Sequence, residues 1–75
     1  MSRAMAQLRK RSVNLSGHAT SLALEPEFWV VLDQIAAAQK ISLAALIGDL
    51  DDARSGRSLA SACRLAALAW ALAAP

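Results

Sequence analysis

The apolar pattern of this chain changes period at Glu25-Pro26. Before that point Leu22 and Leu24 alternate with Ala19, Ser21 and Ala23, the period-two signature of a strand. After it Phe28, Leu32, Ile35 and Ala36 recur at helical spacing. Pro26 stands where a first helical residue belongs, because its missing N–H has no intrahelical partner there anyway. The pattern therefore predicts a strand over residues 18–24 and a helix from about Pro26 to Gln39, with Glu25 and Glu27 complementing the helix dipole. Trp29 falls beside the apolar stripe, at the core edge, and Asp33 faces outward. Lys40-Ile41 makes a turn, and Ser42 is a suitable N-cap for a second helix over about residues 43–52, whose apolar face is Leu46, Ile47 and Leu50. Asp49, Asp51 and Asp52 oppose the dipole at its end, so that helix stops near Ala53. Residues 54–57 form a loop, and Ser58 caps a third helix from Leu59 to about Ala73.

The expected class is mostly α, with one short strand followed by helices. A strand needs a backbone partner. Residues 10–15 form a weaker alternating segment, with Val13 and Leu15 set against Ser12 and Asn14, and Gly17 breaks it. That piece either flanks the main strand or pairs with it. Because it is not a strong strand, the same strand of a second copy is the expected partner. Length points the same way. A 75-residue chain buries a limited core, one cysteine cannot form an internal disulfide, and no ligand cluster for a structural metal is visible. Oligomerisation is the remaining source of stability. The lone Cys63 fits a reducing compartment, so a cytoplasmic location is expected. Residues 1–10 carry no apolar run of signal-peptide length. The Ala- and Leu-rich segment over residues 59–75 is too short, and contains Arg64, for a membrane span. No membrane is expected; the segment reads as a helix buried in a dimer.

The residues around the period change, His18-Ala19-Thr20-Ser21-Leu22-Ala23-Leu24-Glu25-Pro26-Glu27-Phe28-Trp29, resemble the His-x-Thr-Ser-x-x-Leu-Glu-Pro-Glu-Phe-Trp signature of a bacterial ribbon-helix-helix domain family. The resemblance continues through Ile41 to Ile47 and ends near residues 59–65, so it covers roughly residues 10–65. It implies an intertwined homodimer with a two-stranded antiparallel ribbon, a dimer core of Leu22, Leu24, Phe28, Leu32, Ile35, Leu46 and Ile47, and an additional C-terminal helix. It also implies binding of double-stranded DNA, with the inter-subunit ribbon in the major groove. The base-facing positions are then Ala19, Ser21 and Ala23. DNA-binding members of the superfamily usually carry Arg, Lys, Asn, Gln or Thr there. Two of these three are alanine, which reaches only a thymine methyl.

Charge is divided unevenly along the chain. Residues 1–17 hold Arg3, Arg9, Lys10 and Arg11 and no acid, whereas the remainder has four basic side chains against six acidic ones. The expected organisation is a flexible basic arm over residues 1–9 ahead of a domain over residues 10–75. Arg9, Lys10 and Arg11 are candidate phosphate contacts. Lys40 and Ser42 are two more, since the resemblance puts the amino terminus of the second helix on the DNA backbone. The expected function is a small dimeric transcriptional regulator or antitoxin-like repressor. The rival is a dimerisation or protein-interaction module that has lost the reading face and docks a partner through Leu65, Leu68, Trp70 and Leu72 of the last helix.

Catalysis finds little footing. The chain has one His, one Cys and no Tyr, so no catalytic residue, metal ligand or cofactor is assigned. Cys63 reads as a small buried hydrophobe, and His18 as a structural hydrogen-bonding residue. Asp49, Asp51 and Asp52 lack the spacing of a calcium loop and read as a solvated helix end. Arg64, among apolar neighbours, is expected to pair with Asp49 or Asp52.

Overall fold

The computed structural model describes residues 7–73. Strands β1 (Arg9–Leu15) and β2 (His18–Leu24) precede helices α1 (Pro26–Gln39), α2 (Leu43–Ala53) and α3 (Leu59–Ala73). The two strands pair with each other, antiparallel, from Arg9 opposite Leu24 to Leu15 opposite His18. The partner of β2 along one edge is thus β1 of the same chain, where a second copy had been expected. The physical reason lies in the turn. Ser16 and Gly17 both take left-handed backbone, φ 52° and 83°, and a two-residue turn of that kind matches the right-handed twist of a hairpin. The arm expected over residues 1–9 lies largely outside the described residues; Arg9, its last member, already begins β1.

Pairing puts Val13, Leu22 and Leu24 on one face, and that face is buried against the helices. α1 contributes Trp29, Leu32, Ile35 and Ala36, α2 contributes Leu46 and Ile47, and α3 contributes Cys63 and Ala67. Six of the seven residues assigned to a dimer core are therefore buried within one chain, and Leu24, Leu32 and Ile47 are fully enclosed. Phe28 is only partly buried and Trp29 takes the deeper position, the reverse of the expectation that Trp29 sits at the core edge. Trp29 is held there by two partners absent from the helical pattern. Its indole Nε1–H donates to the Arg9 carbonyl at 2.8 Å, and the Arg11 guanidinium lies 4.7 Å from its ring centre. Burial of the ring removes a large apolar area from water while the N–H stays bonded.

The helix ends follow local chemistry. α1 closes with Lys40 in the left-handed region, φ 58°. The Lys40 N–H donates to Ala37 and the Ile41 N–H to Ala36, which satisfies carbonyls that would otherwise be unpaired. The Ser42 hydroxyl then accepts from the Ala45 N–H at 3.0 Å and starts α2, which leaves α1 at an angle of 101°. Ser58 caps α3 in the same manner, accepting from Ser61 at 3.1 Å. No single helix among the described residues is long and apolar enough to cross a membrane.

The hairpin makes the turn residues testable. No atom lies within 4 Å of a Cβ added at Gly17, so the cost of Gly17→Val is backbone strain, roughly 1–2 kcal/mol. Ser16→Asn is expected to act in the opposite direction, since Asn tolerates the left-handed region. Urea unfolding of the two variants reads both signs.

Candidate nucleic-acid interface

Side chains that face each other across a hairpin share a face. Because Leu22 and Leu24 point to the core, the opposite face consists of Ala19, Ser21 and Ala23 from β2 and of Lys10, Ser12 and Asn14 from β1. All are exposed except Ala23, which is intermediate. The face carries one positive charge and no negative one. Ser12 and Asn14 are the members that the sequence reading did not assign to a site. The available signal was Ser16-Gly17 between two alternating runs, which marks a hairpin and fixes its register.

The other candidate phosphate contacts fall in two places. Arg9 and Arg11 lie on the same side of the sheet as the leucines, at its margin. Arg11 there bonds Asp33 at 3.3 Å and covers Trp29, so part of the charge of the basic segment is used in fixing β1 to α1. Each of these contacts is worth up to about 1 kcal/mol at a surface. Lys40 and Ser42 flank the start of α2, and both are exposed. The left-handed backbone of Lys40 brings a long cation beside the free N–H groups at that helix start.

Arg64 pairs with Glu25, at 2.8 Å, and not with Asp49 or Asp52. The reason is the contact of α3 with α1 and β2, which brings Arg64 to the β2–α1 junction and within 5.8 Å of the Phe28 ring centre. Asp51 is instead taken by Arg54, one turn along, at 2.7 Å. The Arg64 guanidinium holds the Glu25 carboxyl below its ordinary pKa, aided by a backbone hydrogen bond. Cys63 is fully buried, and loss of water pushes its thiol up to about 11. A thiol of that kind is a packing group and a poor nucleophile at neutral pH. His18 is exposed at the start of β2 and lines an open groove of about 560 Å³ with Asp51, Arg54 and Ser58. Among the described residues no three His, Cys, Asp or Glu side chains converge as a metal site would require.

A strand feeding two helices that are joined by a tight, Ser-capped turn, here β2-α1-α2, is the ribbon-helix-helix arrangement, and β1 and α3 flank it. The family model for the ribbon-helix-helix domain matches residues 8–71, and the chain belongs to that family. Comparison with curated proteins and with solved structures gives no match.

The Glu25 shift has a pH consequence. A carboxyl with a lowered folded-state pKa contributes stability above its unfolded pKa, and that stability is lost as the pH falls through the folded value. In Arg64→Gln the Glu25 titration, followed by NMR, moves up toward the ordinary carboxylate value. The stability gap between this variant and the wild type is present at neutral pH and narrows on acidification through the Glu25 range.

Proposed function

We propose that this protein is a dimeric DNA-binding regulator or antitoxin-like repressor, and that its two copies join through the outer edge of β2. Family membership supports the DNA-binding class. The observation that carries the dimer is the difference between the two sheet edges. β1 begins Arg-Lys-Arg, a charged edge that resists further pairing. β2, His-Ala-Thr-Ser-Leu-Ala-Leu, has no charged carboxylate, lysine, arginine or proline to blunt its edge. In a two-residue hairpin the residues flanking the turn bond to each other, so the alternation directs the N–H and C=O of Ala19, Ser21 and Ala23 to that outer edge. Antiparallel pairing about Ser21 sets Ala19 of one copy opposite Ala23 of the other. Every outward group then finds a partner, and both cores stay on the same side.

The product is a four-stranded sheet in the order β1-β2-β2-β1 with an open outer face. Its central strand pair addresses the major groove with Ala19, Ser21 and Ala23. Lys40 and Ser42 approach the flanking phosphates with the start of α2, and the two-fold axis calls for an operator of two half-sites. Lys40 supports this reading in a second way. A glycine would occupy its left-handed position with less strain, so a lysine there costs stability that a pure cap has no need to lose.

A second reading, a protein-interaction module, draws on α3. Leu65, Leu68 and Leu72 share one side of α3 and remain exposed at 46%, 50% and 76%, whereas Trp70, at 37%, lies on the side of Cys63 and Ala67 beyond the core. The leucine face suits a partner protein, and it is compatible with DNA binding by the sheet.

Two variants test the assignment. Ser21→Pro removes an N–H that points away from β1, so the folded chain is expected to persist by circular dichroism and to sediment as a monomer. A persistent dimer would exclude the β2 edge as the interface. Lys40→Gly is expected to raise stability by about 1 kcal/mol while weakening binding to duplex DNA. Selection from a random duplex pool is expected to enrich a two-half-site sequence. No retained duplex at any salt concentration would favour the interaction module.

A further inference from the structure

We propose that β1 is a phosphate-binding strand: Lys10, Ser12 and Asn14 of each copy run along one of the two phosphate ridges that bound the major groove. The inference rests on the edge-paired dimer and DNA-binding reading above, and three observations carry it further.

The first is width. Adjacent strands lie about 4.8 Å apart, so the two β1 strands of a β1-β2-β2-β1 sheet are about 14 Å apart, wider than the roughly 12 Å major groove. A bare two-stranded ribbon enters such a groove, but this sheet does not enter it to the same depth. Its outer strands meet the groove walls.

The second is side-chain length. The positions over the groove are Ala19, Ser21 and Ala23, whose side chains extend no further than a methyl or a hydroxymethyl group. The longer polar groups are on the flanks.

The third is chemistry and spacing. Lys10, Ser12 and Asn14 are exposed on one face of one strand, and each offers a donor: an ammonium, a hydroxyl and an amide NH2. Alternate residues on a strand recur about every 7 Å, close to the separation of neighbouring phosphates along one DNA strand. No acidic residue interrupts the row.

Contacts of this kind fix register and affinity without reading bases. Any sequence preference of the dimer then comes from groove shape and from elements other than β1.

The test compares wild type with Lys10→Ala, Ser12→Ala and Asn14→Ala, whose side chains are exposed, so melting is expected to be unchanged. Lys10→Ala removes two charges per dimer and should lower the salt slope of duplex binding by about 2. Ser12→Ala and Asn14→Ala should each weaken binding several-fold and by the same factor on every duplex. The sequence profile selected from a random pool should match that of the wild type. A selected profile altered by Asn14→Ala or Ser12→Ala would overturn the proposal in favour of base reading by β1. An unchanged salt slope in Lys10→Ala, with a wild type that binds DNA, would remove β1 from the interface and leave the DNA-binding reading intact. A wild type that binds no duplex even at low salt would instead remove that reading itself.

Discussion

The left-handed turn at Ser16-Gly17 is the constraint on which the rest of the structure depends. Once those two residues take positive φ, β1 must fold back on β2 in one register. That register decides which face each side chain occupies. A slip of one residue would turn Val13 outward and aim Ser12 at the core. The hairpin thus gives the helices an apolar floor of Val13, Leu22 and Leu24, and leaves Lys10, Ser12 and Asn14 together on the open side.

The helices lock that floor by contacts of modest individual strength that converge on the same junctions. Trp29 joins the beginning of β1 to α1 through an indole hydrogen bond to Arg9, and Arg11 closes over its ring on the way to Asp33. Arg64 ties α3 to Glu25, the residue at which β2 becomes α1. Both arginines lie at the margin of the apolar core, where their stems cover apolar surface and their heads stay in water. The core is complete within one chain, so a second copy is not needed to bury Leu24 or Ile47. What a second copy would satisfy is the outer backbone edge of β2. The dimer reading accordingly rests on hydrogen bonding and edge chemistry, and owes little to unburied apolar surface on the strands.

The extra strand also bears on the DNA contact proposed above. A ribbon of two strands shared between subunits exposes few positions. The proposed sheet of four would expose twice as many and be too wide to enter the groove as the ribbon does. Alanine at Ala19 and Ala23 reads as a defect if β2 alone forms the contact surface. Beside a polar β1, and in the proposed dimer, the same alanines would be the low centre of a broader platform.

The three helices, the Ser caps of α2 and α3 and the strand before Pro26 were legible in the sequence, because period, capping residues and proline act over four or five neighbouring positions. The family was legible too, in residues 18–29. The Ser-Gly turn was also a local signal, but β1 was obscured by its Arg-Lys-Arg start, which has little strand propensity. Other features were beyond local reading. The exchange of Phe28 for Trp29 in the core turns on a carbonyl twenty residues earlier in the chain, and the pairing of Arg64 turns on a carboxylate thirty-nine residues away. Sequence by itself determined the elements and their ends, since those depend on the residues adjacent to them. Only the tertiary structure decided which strand β2 pairs with, which aromatic is buried and which carboxylate meets Arg64. Those outcomes depend on how the hairpin and α3 are set against α1, and no local pattern encodes that.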